Sequence, residues 1–301
     1  MGISTTEWLA DRLVRSIRRR AFMPRADETY TDEELLEVAD EETRDYLVPT
    51  LRAVDEEFLV RKYDFTITAG TAEYRLPPRA TAEALRAVLW APNSDSVYSP
   101  VDRIDPTHGS LAQTRQVTAG FYVEDDRIIF SPTPTETVPG RLLIFQRPGR
   151  LVLVADAAKI ATLPSTAECT VVAAPSWLVT GAGLDVVAGQ PGWRTLQTDN
   201  TGTVSSLTVT FGTAVPATIV VGDYLCEPGT SCFPQLPDIC HPLLAQRVAV
   251  KLLEGKDSAG YDKALGELVA AEARVKSVLK PRTVAHPTYV HNFNAPGWRR
   301  R

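Results

Sequence analysis

The sequence predicts an α+β chain: a helical bundle built from N- and C-terminal segments, with a large inserted antiparallel β domain. Three observations lead there. Thr31-Asp32-Glu33-Glu34 is a capping box opening a long helical pattern; from Phe65 to about Pro237 short apolar runs alternate with turn residues; and helical spacing returns near Pro242. Each amphipathic helix has an apolar stripe but no long partner nearby in sequence, so the flanking helices should share a core. The expected boundaries are 1–64 with 238–282 as a discontinuous helical domain, 65–237 as the β-rich insertion, and 283–301 as an extended C-terminal docking tail.

Ser4-Thr5-Thr6-Glu7 is a further capping box, followed by Leu9, Leu13, Val14 and Ile17 on one face and Arg12, Arg15, Arg18, Arg19 and Arg20 around the rest. A basic amphipathic helix suits a membrane or nucleic-acid surface. Docking of its aliphatic stripe on the same chain or a neighbouring copy is the reading preferred here. After Thr31, Leu35, Ala39, Tyr46, Leu47, Leu51, Val54 and Phe58 recur at helical spacing, and Pro49, lacking an N–H, predicts a kink or two helices. Thirteen acids against Arg44 and Arg52 make Asp27 to Glu57 strongly negative.

Phe65-Thr66-Ile67-Thr68 and Glu73-Tyr74-Arg75-Leu76 predict a hairpin across a turn containing Gly70. Further strands are expected at Leu85–Trp90, Gly120–Val123 with Arg127–Phe130 across Asp125-Asp126, Arg141–Gln146, Leu151–Val154, Thr170–Ala174, Ser206–Phe211 and Ala217–Val221. They suit a sandwich or distorted barrel, or two β units divided near Pro148-Gly149, with no fixed-period repeat. Leu243 to Leu253 and Tyr261 to Leu279 then predict a helical hairpin broken at Gly255. The tail holds Tyr289, Phe293 and Trp298 and ends Arg299-Arg300-Arg301. Pro281, Pro287 and Pro296 keep it extended, and its cations are opposed by no acid.

At 301 residues with 44% hydrophobic content the chain has ample material for a core. A net charge of -5 argues against a nucleic-acid coat and toward protein partners. No apolar run approaches the ~20 residues of a membrane helix, and no signal-peptide core is evident, so synthesis and retention in a cytoplasm are expected. Four cysteines are too few for a disulfide scaffold. Cys226, Cys232 and Cys240, with His241 adjacent, have spacings wider than zinc prefers, so buried free thiols are expected and no metal or cofactor; the turn at Pro228-Gly229 leaves a Cys226–Cys232 bridge as an alternative.

No catalytic pattern stands out, and the expectation is a protein that is not an enzyme. His108 sits in turn chemistry without a nucleophile signature, Gly181-Ala182-Gly183 lacks the third glycine of a dinucleotide loop, and Asp125-Asp126 is what a hairpin turn wants. Trp90, Trp177 and Trp193 could form a sugar platform if exposed, which keeps a carbohydrate- or protein-binding β-sandwich module of some larger assembly as the alternative.

The run Asp40-Glu41-Glu42-Thr43-Arg44-Asp45-Tyr46-Leu47-Val48-Pro49 leading into Phe65 to Pro77 resembles the head-to-tail adaptor, or connector, proteins of tailed bacteriophages. So do Val221-Gly222-Asp223-Tyr224, Gln235-Leu236-Pro237 and His241 to Arg247. The resemblance spans about residues 30 to 282. It implies helices from both sides of a β insertion, and a ring, usually of twelve copies, beneath the portal protein. Such a ring extends the channel through which double-stranded DNA passes without sequence-specific binding, and offers a platform for a nozzle or tail-tube protein. It further implies a place in the virion at the head–tail interface, after assembly in the host cytoplasm. Tyr289, Phe293, Trp298, Arg299, Arg300 and Arg301 are then the residues expected to dock on the portal or an adjacent subunit, and the acidic stretch is expected to line the channel or face a neighbour, an ordinary solvated helix face being the alternative.

Overall fold

The computed structural model describes residues 8–23, 29–54, 58–77, 79–91, 97–105, 120–189, 195–254 and 258–279. Five α-helices occur among them: α1 (Ala10–Arg20), α2 (Asp32–Glu42), α3 (Val48–Val54), α4 (His241–Leu253) and α5 (Ser258–Leu279). The capping box at Thr31 is formed, with Glu34 N–H donating to the Thr31 hydroxyl and Thr31 N–H to the Glu34 carboxylate. At Pro49 the helix does not break. A π-helical turn over Thr43–Leu47 joins α2 to α3, and Val48 N–H reaches Thr43 O instead of the carbonyl four back. The wider turn accommodates a proline that has no N–H for Asp45 O and would otherwise clash there.

α1 buries Ala10, Leu13, Val14 and Ile17 on the same chain, against a cluster that also takes Leu35, Leu36, Leu47 and Leu51 from the next helices and Leu244, Val248 and Leu268 from α4 and α5. The docked face leaves room for Arg18, which is itself buried and pairs with Asp32 at 2.7 Å.

Strands dominate the rest. A seven-stranded sheet runs in the order β1-β7-β3-β4-β5-β6-β2, from β1 (Val60–Ile67), β2 (Glu73–Arg75), β3 (Ala80–Trp90), β4 (Ser99–Arg103), β5 (Gly120–Glu124), β6 (Arg127–Ser131) and β7 (Val138–Gln146). A short parallel pair brackets the next unit in chain order: β8 (Arg150–Leu151) precedes a closed six-stranded barrel and β15 (Thr230–Ser231) follows it. The barrel comprises β9 (Ala158–Ser165), β10 (Glu168–Val171), β11 (Gly183–Val187), β12 (Thr195–Ser205), β13 (Thr208–Phe211) and β14 (Tyr224–Cys226), in the order β10-β13-β12-β11-β14-β9.

This overturns the expected fold class. The chain is mostly β, in two curved sheets with separate cores, and is not a helical bundle carrying one antiparallel insertion. β4 and β5 also pair in parallel. The reason lies in composition: β9, β11 and β12 carry Thr, Lys, Asp and Asn among their apolar residues, so they do not register as apolar runs, whereas the helices announce themselves by capping and period.

Three local expectations fail with it. β1 and β2 do not form a hairpin; β1 pairs with β7 and β2 with β6, at opposite edges of the sheet. The sheet curls far enough that the edges still meet through side chains, with the Phe65 and Tyr74 rings 5.3 Å apart and edge-on. Residues 217–221 form a corner, not a strand, and of the strand expected at Leu151–Val154 only Leu151 pairs, in β8, while Val154 begins a 3-10 turn.

The barrel contains a repeat that the sequence hides. β9-β10-β11 and β12-β13-β14 are each a hairpin, a proline-started corner and a return strand, and the circular strand order is unchanged when the two triplets are exchanged. Val171 N–H donates to Leu207 O at 2.9 Å, as Phe211 N–H does to Ala167 O. In the corners Leu178 N–H reaches Pro175 O and Ile219 N–H reaches Pro216 O; Gly181 N–H then donates to Gly202 O and Gly222 N–H to Ile160 O. Both glycines have positive φ, 85° and 99°, where a Cβ would be strained. The spacing between equivalent residues changes from strand to strand, which is why no fixed period appears.

Candidate assembly surfaces

The six residues expected to dock, Tyr289, Phe293, Trp298, Arg299, Arg300 and Arg301, lie outside the described residues, as do His108, Trp193 and the Ser4 capping box. Trp90 packs against the core of the seven-stranded sheet. Trp177 packs against the barrel core, its indole N–H donating to Asp156 O. Neither presents an open platform. Asp125, at φ 51°, makes the β5–β6 turn, and Asp126 pairs with Arg75 at 2.8 Å.

The cysteines are free and buried. Burial pushes the Cys240 thiol up to about 12, and burial with the nearby Glu168 charge pushes Cys169 up to about 11. His241 is buried with Nε2 at 3.0 Å from Leu236 O and 3.2 Å from Pro234 O, which makes Nε2–H the donor. Desolvation lowers its pKa, so the ring is neutral and part of the packing under Trp8. Among the described residues no group of three His, Cys, Asp or Glu side chains could hold a metal, and no helix is long and apolar enough to cross a membrane.

Much of the acidic stretch is spoken for by the chain's own cations. Glu42 accepts from Arg247 Nε at 2.7 Å and Glu272 from its Nη1 at 2.8 Å, while the guanidinium lies over the Tyr46 ring at 3.4 Å. One side chain of α4 thereby locks α2, the π turn and α5. Glu41 pairs with Lys251 and Asp32 with Arg18. Asp40 turns toward β8, where both carboxylate oxygens accept Leu151 N–H at 2.9 and 3.0 Å. Burial lifts its pKa to about 7, against the downward pull of that hydrogen bond and of Arg44 and Arg150.

A second polar knot joins the β units. Arg79, before β3, donates to Asp185 of β11 at 2.9 Å and to the Thr195 hydroxyl, and Asp185 also accepts Gly229 N–H. Gln235 completes it, accepting Gly149 N–H at 2.7 Å and donating to Thr195. Asp185 is fully buried, so this knot fixes geometry between sheet, barrel and linker.

Among the described residues, exposed surface includes the following two regions. The barrel exposes Val172, Val179, Leu207, Val220 and Val221, and the pseudo-symmetry makes Val179 and Val220 equivalent corner positions. The other is a cleft of about 560 Å³ where α3 crosses the seven-stranded sheet, lined by Pro49, Arg52, Ala53, Arg86 and Phe145. Arg52 stacks on the Phe145 ring at 3.8 Å. Arg86 is the extra residue of a bulge in β3, because Leu85 and Ala87 oppose the adjacent Ile144 and Leu143. A bulge re-aims a side chain. Among the described residues, the cleft is lined by two guanidiniums, those of Arg52 and Arg86. Sequence reading passed over it, since its parts come from three distant segments.

No protein-family model matches the chain, and no curated protein matches it.

Proposed function

We propose that this chain is a structural head-to-tail adaptor of a tailed-bacteriophage particle, forming a ring beneath the portal protein and offering its outer surfaces to a nozzle or tail-tube protein. The observation that carries the reading is where the resembling segments meet. Glu42 and Tyr46 of the first segment are held by Arg247 of the last at 2.7 Å and 3.4 Å. Asp40 holds the linker strand β8, Gln235 holds Gly149, and Asp223 accepts Gly189 N–H at 2.7 Å to set the second corner of the barrel. The residues on which the resemblance rests are thus the joints of the molecule, as expected when what a family shares is a shape to be assembled. In this reading residues 283–301 are the docking tail, with Tyr289, Phe293 and Trp298 filling pockets and Arg299, Arg300 and Arg301 pairing with carboxylates. DNA passes through the ring without sequence-specific contacts.

The test uses the full chain and a variant ending at residue 283, followed by native mass spectrometry, negative-stain microscopy and binding to tailless portal-bearing heads. The expected result is a closed ring of many copies for both chains, with attachment to heads by the full chain alone. A full chain that stays a monomer or trimer at every concentration and on heads overturns the adaptor in favour of a binding module. Equal attachment by the truncated chain refutes the role of the tail.

A further inference from the structure

We infer that the outer face of α1, carried by Arg12, Arg15 and Arg19 with Phe22 at its end, is a contact for the sugar–phosphate backbone of duplex DNA. This contact rests on the adaptor reading for the source of the nucleic acid, and it names the wall of the ring that the DNA would meet. Packing takes up one side of the helix and leaves the other. Ala10, Leu13, Val14 and Ile17 enter the helical core, and Arg18 is buried against Asp32. Arg12, Arg15, Arg19 and Phe22 follow one another at steps of three and four residues and so share the remaining side. Arg15, Arg19 and Phe22 are exposed, and Arg12 is half-buried.

The charge of this row is not neutralised by its surroundings. Among the described residues no carboxylate pairs with Arg12, Arg15 or Arg19. Arg15 Nε donates to the Asp11 carbonyl at 3.2 Å, and the carboxylate of Asp11, the one acid of α1, accepts Val154 N–H. Arg12 is held over the Trp8 ring at 4.7 Å, and its Nη1 is buried without an acceptor. A guanidinium fixed in this way adds to the positive potential along the row. Burial, followed by the charge of Arg19, holds Arg20 below its ordinary pKa, and Glu267 offsets this only in part. Phe22 is a second, independent sign. Its backbone lies at φ 55°, the left-handed position that glycine ordinarily fills at a helix end, with Met23 N–H closing the turn onto Arg18 O at 2.8 Å. The ring is 67% exposed. A bulky residue there carries backbone strain without packing in return, the pattern of a side chain kept for an external contact.

The chemistry of the row selects the occupant. Guanidinium forks match phosphate oxygens two at a time. Seven residues of helix set Arg12 and Arg19 ~10 Å apart along the axis, and duplex DNA carries a charge every ~1.7 Å along its own, so a straight row finds acceptors at any register. Carboxylates on a protein would have to be matched position by position. An anionic membrane suits the face less well, because the apolar side of α1 is already in the core and Phe22 alone is left to enter a bilayer. Backbone contacts of this kind read no sequence.

The experiment is fluorescence anisotropy of a labelled mixed-sequence DNA duplex with the full chain over a range of salt. For the unaltered chain, log K should fall with log salt by about 0.9 for each phosphate neutralised. Arg15→Gln with Arg19→Gln should flatten that slope by about 2 and weaken binding at least about tenfold near ~0.1 M salt. The cations of the C-terminal tail are present in both chains and cancel in the difference. Arg15→Lys with Arg19→Lys keeps the charges and should keep the slope. Phe22→Gly relieves the backbone, so it should raise the melting temperature and yet weaken binding. An unchanged slope in the glutamine pair overturns the inference, and rings formed by that chain leave the adaptor standing. A glutamine pair that loses adhesion to phosphatidylglycerol vesicles but not to the duplex assigns the face to a membrane and overturns the inference. Undiminished duplex binding with loss of attachment to portal-bearing heads assigns it to an acidic protein and does the same. A chain that binds duplex through these arginines and never assembles keeps the contact and fails the adaptor reading.

Discussion

Replacing Asp40 by Asn should make the protein more stable at neutral pH and indifferent to pH where the native chain is not. The carboxyl sits at the junction of α2 and β8, accepting Leu151 N–H, and burial raises its pKa from 3.8 to about 7. The native state therefore keeps a proton that the unfolded chain has already released across that interval. Stability contributed by this group is present below pH about 4 and is lost as pH rises toward about 7, because a charge must then be carried in a poorly solvated place. Each pH unit is worth about 1.36 kcal/mol, so the ceiling is about 4 kcal/mol; the side chain is only partly buried, and solvent screening brings the expected difference to about 2 kcal/mol. Asparagine retains an oxygen to accept Leu151 N–H and carries no charge. Urea unfolding followed by the helical circular dichroism signal, between pH about 4.5 and about 8.5, isolates the term as Asp40→Asn minus native. The difference should be near zero at the acid end and climb to about 2 kcal/mol in favour of the variant. A flat difference, or one that falls with pH, would show that Asp40 is ionised in the native protein and serves as an ion-pair partner to Arg44 or Arg150, refuting the argument from burial.

Two further outcomes bear on the joints of the fold. Arg247→Met keeps the stem of the side chain but leaves Glu42 and Glu272, at 14% and 19% exposure, with only the longer cation contacts to Lys251 at 3.6 Å and Lys276 at 4.0 Å, and should cost about 2 kcal/mol by chemical denaturation; a loss under about 0.5 kcal/mol would mean the lock is incidental. Gly181→Ala and Gly222→Ala each put a Cβ on a positive-φ corner with open space around it, so each should cost about 1 kcal/mol from backbone strain alone, equally in the two halves of the barrel. Thermal melts that separate the two variants widely would show the corners to be unlike.

What the sequence determined by itself was local. Thr31 and Glu34 cap a helix because their reach is three residues, and the buried stripes of α1, α4 and α5 recur at a period set by helix geometry alone. Asp125-Asp126 makes a hairpin turn for the same reason: its partners are next to it in the chain. The two-sheet architecture was decided only in three dimensions. β1 looks like half of a hairpin with β2 until β7, some seventy residues on, offers it a longer ladder; nothing within Phe65 to Leu76 records that competition. The barrel repeat is invisible because hydrogen-bond register, not side-chain identity, is what its halves share. Arg247 reads as one more charge on a helix and becomes the bolt between three elements only once Glu42 and Glu272 are brought to it from either side. The cleft follows the same rule. Arg52, Arg86 and Phe145 have no common signature along the chain, since they become neighbours only through the fold.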